Sequence, residues 1–294
     1  MYDEAADFAE HRTQMESMDT TLAACGVFVD WPTATVCDVG GGGGLRAGLL
    51  ASRAKRVHCA DVIDQQARYG GEFVKLLAEK LERHGHHLPV DRFAVDVTDA
   101  TRLMYRDGWF DFICSVNAFE HIPDPNLALT EIARVLRPGG HAYISFDPIW
   151  TADTGNHFQH YVPEPWAHLV LDEAQFVARM RGAGAEDWEV NDFHLWLNRH
   201  RLGVYQRLFG VSAKELGLNV LAQQSWSGVV DDANLLHENW ELALKTYSRE
   251  ELLTRGMYVL MRKNTQNHTN LSSSYQSGWA IALRKKFWRR QVSQ

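Results

Sequence analysis

Four acids or amides, each at or near the end of an apolar run, and one glycine run carry the chemistry that can be read in this chain. Five consecutive glycines, Gly40–Gly44, follow Val36-Cys37-Asp38-Val39. A backbone without Cβ atoms can turn tightly there and still let a ligand lie against it. The glycines at 40, 42 and 44 stand two apart behind an acid at 38. A dinucleotide fingerprint would space them as G-x-G-x-x-G. A pyrophosphate would be repelled by Asp38, whereas a ligand with a cationic head and no phosphates suits it. Asp38 would bind that ligand's ammonium directly or through water, with Gly40 and Gly42 allowing close approach. Asp61 ends the second apolar run, 23 residues after Asp38. A carboxylate there can accept hydrogen bonds from both hydroxyls of a ribose. Asp64 lies a helical turn later and better suits a helix cap. Asp96 and Asn117 follow the third and fourth runs.

A second group of reactive side chains lies further on. His157, His160 and His168 fall in a stretch dense in aromatics, with Asp147 just past the fifth apolar run. An imidazole has a pKa suited to removing a proton from an alcohol or phenol, and His157 and His160 are the candidates for that base. The spacing His157-x-x-His160 also suits a metal on one helical face, but Gly155-Asn156 and Pro163 argue against a long helix, and no metal site is assigned. Trp150, Phe158, Tyr161 and Trp166 would wall an apolar or ring-shaped acceptor or form the insert's own small core. Glu120-His121 reads as support for the floor of the pocket rather than as an acid/base pair. His84, His86 and His87 read as a solvated turn.

These residues need elements to hold them. Strands are expected at 34–39, 56–61, 92–96, 110–115 and 141–146, each nearly continuously apolar, with helices between them at 45–54, 64–84, 99–106 and 125–136. The last of these helices stops at Pro138-Gly139-Gly140. Alternation of this kind means an α/β fold with a parallel sheet covered on both faces. Ligands of such sheets sit at the carboxyl ends of the strands, so the glycine loop, Asp61, Asp96 and Asn117 should converge on one crevice. A helix over 3–25 is expected to pack over the glycine loop. Residues 147–200 loosen into an inserted cap, with a helix near 172–182. Helices at 201–217 and 232–246, strands at 218–225 and 256–262, and a Ser248/Glu251 capping box complete the domain.

Composition sets the outer limits. The chain has 294 residues, 45% hydrophobic and 23% charged, with a net charge of −7, which suits one large globular domain and argues against a general affinity for nucleic acid. The four cysteines form no C-x-x-C pair, so neither a disulfide framework nor a zinc site follows. Met1-Tyr2-Asp3-Glu4 lacks the marks of a signal peptide and no apolar run approaches a membrane span. A cytoplasmic location is the expectation. Residues 263–294 turn polar and then basic and aromatic, and 279–290 suits a weak membrane-surface or protein contact.

Together, Asp38-x-Gly40-x-Gly42-x-Gly44, the acids ending the second and third strands, and Phe110-Asp111-Phe112-Ile113 before Glu120-His121-Ile122 resemble a class I S-adenosylmethionine-dependent methyltransferase. Residues 131–140, Glu-Ile-Ala-Arg-Val-Leu-Arg-Pro-Gly-Gly, are similar to the subgroup of ubiquinone and menaquinone methyltransferases. The resemblance covers 30–146 closely and 201–262 loosely. It implies a Rossmann-like, seven-stranded, mostly parallel sheet sandwiched by helices, with the cap after the fifth strand. An N-terminal helical segment, 1–30, would lie over the cofactor site, and the catalytic domain would run from 31 to 262. It implies S-adenosyl-L-methionine as cofactor, held by Asp38, Gly40, Gly42, Asp61, Val62, Asp96, Val97 and Asn117. By the same resemblance Asp96 and the Val97 backbone meet the adenine, and Asn117 the methionine moiety. The acceptor expected is a small molecule (a natural product, a sugar or a lipid-linked compound), methylated at a hydroxyl oxygen. The region after the fourth strand reads Ser115-Val116-Asn117-Ala118-Phe119 and lacks the Pro-Pro-aromatic segment of amino methylation on nucleic-acid bases. A nicotinamide-dependent oxidoreductase and a non-catalytic binding protein on the same scaffold are the rival readings.

Overall fold

The computed structural model describes residues 3–228 and 232–265. The segment 279–290 lies outside them. Seven strands form one sheet: β1 (Thr35–Val39), β2 (Arg56–Asp61), β3 (Phe93–Val97), β4 (Phe110–Val116), β5 (Leu136–Phe146), β6 (Leu218–Ser227) and β7 (Thr254–Lys263). Their order is β3-β2-β1-β4-β5-β7-β6. The first five pair in parallel, and β7 runs antiparallel between β5 and β6. The expected seven-stranded, mostly parallel, Rossmann-like α/β architecture is the one observed.

The continuous apolar character of the strands follows from burial on both faces. Successive residues point to opposite sides. Val36, Val57, Phe112 and Cys114 join a core with helices α1 (Glu4–Ala24), α2 (Leu45–Ala51) and, past a short turn of helix α3 (Gln65–Arg68), α4 (Phe73–Arg83). Cys37, Ile113, Ala142, Ile144 and Val259 join a core on the other face with α5 (Pro125–Val135). Chain order reverses direction between β1 and β4, so the crevice at that point opens at the carboxyl ends of β1, β2, β3 and β4.

Several elements differ from the sequence expectation. Gly70 and Gly71 both have positive φ and split the 64–84 helix into α3 and α4. No helix forms over 99–106: the Asp99 side chain accepts from the backbone and hydroxyl of Thr101, closing a turn that competes with helix. β5 begins at Leu136 rather than at 141, with a register shift against β4 that absorbs Pro138-Gly139-Gly140.

Between β5 and α9 (Leu202–Arg207) the chain folds α6 (Ala167–Val170), α7 (Glu173–Gly182) and α8 (Asp187–Leu195). Phe176, Met180, Val190 and Phe193 form a core of their own there. Helix α8 was not expected, because its apolar residues do not repeat at a clean helical interval. Among the described residues no helix is long and apolar enough to cross a membrane.

Candidate active site

The glycine loop has the shape its sequence requires. Gly40 turns at φ +73°, and a Cβ there would come 2.4 Å from the Cβ of Ala118. Gly42 also has positive φ, and nothing lies within 4 Å of where its Cβ would be. The loop therefore packs against the segment after β4 at one glycine and leaves open space at the other. Asp61 is held across that space. Its Oδ2 accepts the Gly42 N–H and its Oδ1 the Ile63 N–H, each at 2.8 Å. Each carboxylate oxygen keeps a second lone pair for a ligand. Asp61 stands in register with Val97, and the exposed side chains of Val62 and Val97 make an apolar rim beside it.

Asp38 is completely buried. Its Oδ1 receives Arg46 Nε at 3.1 Å, while Arg46 also donates to Gln14 of α1 and to the Val116 carbonyl. A buried charge needs such a partner. The sequence reading gave Asp38 wholly to the ligand. The structure gives one oxygen to Arg46 and leaves Oδ2 without a partner. Through Arg46 and Gln14 this acid also ties α1 to the loop. Asn117 takes positive φ at the end of β4, and its N–H donates to the Ser145 carbonyl at 2.8 Å.

Asp96 is placed differently from the expectation. Its Oδ2 lies 2.6 Å from His58 Nδ1 and accepts the Tyr105 hydroxyl at 2.9 Å. Burial alone would raise its pKa, but these two bonds outweigh that and hold it below the usual carboxylate value. Oδ2 of this carboxylate is thus engaged within the fold. Asp99, exposed beyond that strand, is the acid the sequence reading passed over by assigning it to a helix.

The histidines separate into three environments. His160 is 60% exposed, beside Tyr161 and 4.0 Å from Glu189, and stands on the surface of the insert. His168 is buried, with Nε2 at 2.7 Å from the Trp150 carbonyl, and burial pushes its pKa down to about 3. His157 is the histidine of the insert that meets the sheet. Its ring lies edge-on to that of His121, centroids 5.2 Å apart. Burial first, then the neighbouring His121, lower its pKa to about 4.

His121 is the residue that the sequence reading set aside. Its Nδ1–H donates to the Trp196 carbonyl at 2.8 Å. That bond fixes the tautomer and leaves a lone pair on Nε2. Burial lowers its pKa, while the Trp196 carbonyl and the charge of Asp61 act in the opposite direction. The insert holds this segment firmly: Asn198 donates to the carbonyls of Phe119, Glu120 and Ile122. Among the described residues no group of three His, Cys, Asp or Glu is arranged for a metal ion.

These features fit an adenosyl amino-acid ligand: an open turn at Gly42, a ribose-ready carboxylate, an apolar rim, and an orphaned buried oxygen on Asp38. Residues 37–144 match the protein family described as a methyltransferase domain. Over those residues the chain carries a methyltransferase domain, and S-adenosyl-L-methionine is the cofactor of such enzymes. Among individual proteins, it is similar to the methyltransferase GfsG of Streptomyces halstedii, 37% identical over 111 residues, which cover 37% of this chain and 36% of that protein. It is also similar to the ubiquinone biosynthesis O-methyltransferase of Pseudomonas paraeruginosa, 25% identical over 182 residues, 62% of this chain and 66% of that one. The matched region spans about a third of GfsG and less than half of the uncharacterized mycobacterial methyltransferases it also matches. In fold, it resembles a candidate sarcosine dimethylglycine methyltransferase from Galdieria sulphuraria, with 21% identity, a TM-score of 0.52, and coverage of 90% of this chain and 92% of that one.

Proposed function

We propose that the protein transfers the methyl group of S-adenosylmethionine to a hydroxyl oxygen of a small-molecule acceptor, with His121 as the general base. When bound, the cofactor supplies an already activated sulfonium methyl, so positioning provides most of the help in an in-line displacement. The glycine loop and Asp61 orient the adenosyl part from the carboxyl ends of β1 and β2. Asp38 offers its unpartnered oxygen to the amino group, backed by Arg46. The insert 147–200 covers the acceptor side and excludes water there.

The observation that carries the oxygen assignment is the protonation of His121. A neutral imidazole with Nδ1–H spent on a backbone carbonyl and a free Nε2 lone pair is ready to take an alcohol or phenol proton. The O-methyltransferase among the similar proteins supports the same reading. His157 adjoins it, ring centroids 5.2 Å apart. Radiolabelled methyl transfer with His121→Ala, His157→Ala and His160→Ala tests the assignment. Turnover should fall about 10²- to 10³-fold in the first, with unchanged binding of S-adenosylhomocysteine, and stay at wild type in the last. Full turnover in His121→Ala would remove the base and leave proximity alone.

A further inference from the structure

A cavity of about 360 Å³ opens where the end of the insert runs into α9, lined by Arg199, His200, Arg201, Arg207 and Glu251 among others. None of the residues assigned to the cofactor lines it. Its volume falls within the range of small-molecule sites, about 300–1,000 Å³. Three guanidiniums gathered in one cavity repel one another, and the chain that gathers them has a net charge of −7. Glu251 does not balance them. Both its oxygens accept from Arg201, at 2.7 Å each, and one also accepts the Ser248 N–H. That leaves Nη1 of Arg201 outside the pair. Arg199 gives Nη1 to Glu173, which it shares with His194, and Nη2 to the Phe193 carbonyl. Its Nε is buried without a partner, and a buried donor of this kind needs an account. The Arg199 guanidinium lies over the rings of Trp150 and Phe193, and its backbone is held at φ +57°, which is uncommon for a long side chain. Arg207 is exposed and makes no ion pair among the described residues.

We propose that this cavity binds a phosphate or pyrophosphate group through the guanidiniums of Arg199, Arg201 and Arg207. A guanidinium presents a planar fork that pairs bidentately with phosphate oxygens. Forks from three side chains suit a tetrahedral anion approached from several sides, whereas a planar carboxylate engages one. The site goes beyond the methyl-transfer reading, and its occupancy is measured without turnover. It is also joined to the segment that carries His121. The Trp196 carbonyl accepts from His121, Asn198 donates to the carbonyls of Phe119, Glu120 and Ile122, and His200 Nε2 lies 3.1 Å from the Pro123 carbonyl. An anion drawn in by Arg199 and Arg201 therefore bears on the same stretch, 196–201, that aims His121. The phosphate is either carried by the acceptor itself or belongs to a separate ligand, and the two differ in what they do to turnover.

Titration calorimetry of the full-length protein with inorganic phosphate, pyrophosphate and acetate, at constant ionic strength and with and without S-adenosylhomocysteine, tests this. Phosphate or pyrophosphate should bind saturably, one per chain, and ten-fold or more tightly than acetate. Arg207→Gln removes an exposed side chain without disturbing the cores and should weaken that binding ten-fold or more. Arg207→Lys, which keeps the charge but not the fork, should weaken it less. Arg106→Gln, at an arginine that stacks on Trp109 outside the cavity, should leave it unchanged. No saturable binding of either anion overturns the proposal. So does binding no tighter than that of acetate, or binding that Arg207→Gln leaves at wild type. Radiolabelled methyl transfer with and without pyrophosphate then separates the sources. Inhibition that more acceptor relieves marks a phosphate carried by the acceptor, and an unchanged or raised rate marks a separate ligand. Failure to bind S-adenosylhomocysteine would strike the methyltransferase reading and leave the anion titrations to decide the site.

Discussion

Replacing Asp61 with asparagine isolates the residue on which cofactor binding turns. The side chain keeps its size but loses its charge and one acceptor. In the native site Oδ2 accepts the Gly42 N–H and Oδ1 the Ile63 N–H, both at 2.8 Å. An asparagine amide can satisfy one of these and must turn its NH₂ toward the other, so the loop loosens at Gly42. The ribose hydroxyls lose their charged acceptor at the same time. Hydrogen bonds to charged groups contribute about 1.5–3 kcal/mol each. Part of that is retained by the remaining oxygen, so the net loss in binding is about 1.5–3 kcal/mol, or roughly 10- to 150-fold in Kd. Asp61 is half-buried and away from the two cores, so the melting temperature should fall little. Titration calorimetry with S-adenosylhomocysteine, paired with thermal unfolding, reads both quantities. A folded Asp61→Asn protein that binds within three-fold of wild type would refute the ribose assignment.

Asp96→Asn should do the reverse: it weakens the bonds to His58 and Tyr105, costs about 1–2 kcal/mol of stability, and leaves S-adenosylhomocysteine affinity within three-fold, as urea unfolding and calorimetry would show. Gly40→Ala places a Cβ 2.4 Å from that of Ala118 at φ +73° and should destabilise by about 2–4 kcal/mol; a change below 1 kcal/mol in urea unfolding would contradict the packing described. Stability should also decline as pH falls from about 6.5 toward 4.5. The folded-state pKa values of His157 and His168 lie at about 4 and 3, below the ordinary 6.5, so the unfolded chain takes up protons first. Their contribution is present in full above the ordinary value and is lost as pH drops through the folded values, by roughly 2 kcal/mol for each histidine over that window. Glu120 has the opposite sign: its raised pKa stabilises below the ordinary carboxylate value and is lost as pH rises. Glu120→Gln should therefore steepen the decline in a pH series of melting temperatures, and a flat series would contradict the buried neutral histidines.

The sheet was legible in the sequence because strands buried on both faces must be nearly all apolar, and the chain alternates such runs with helices. The convergence of Gly40, Gly42 and Asp61 was legible for the same reason: they sit at strand ends, where topology alone brings them together. What the sequence could not show was the direction of individual side chains. Asp96 ends a strand as expected, yet His58, the register partner of Ala94, and Tyr105 from the following loop claim its carboxylate. Asp38 has Arg46 as a partner because α2 turns that side chain back onto β1. The acceptor side was hardest to read. His157 and His160 are alike in sequence, but one meets His121 across the insert and the other faces solvent, a difference set by positive φ at His157 and by the turn that follows. His121 was undervalued because its role depends on the Trp196 carbonyl, 75 residues away.

The central claim is that an open glycine turn and the Asp61 carboxylate hold an adenosyl sulfonium donor. Calorimetric titration of the full-length protein with S-adenosylhomocysteine and, separately, with NAD measures it most directly. The account predicts saturable, one-to-one binding of the first and no heat from the second. Heat from NAD with none from S-adenosylhomocysteine would contradict it.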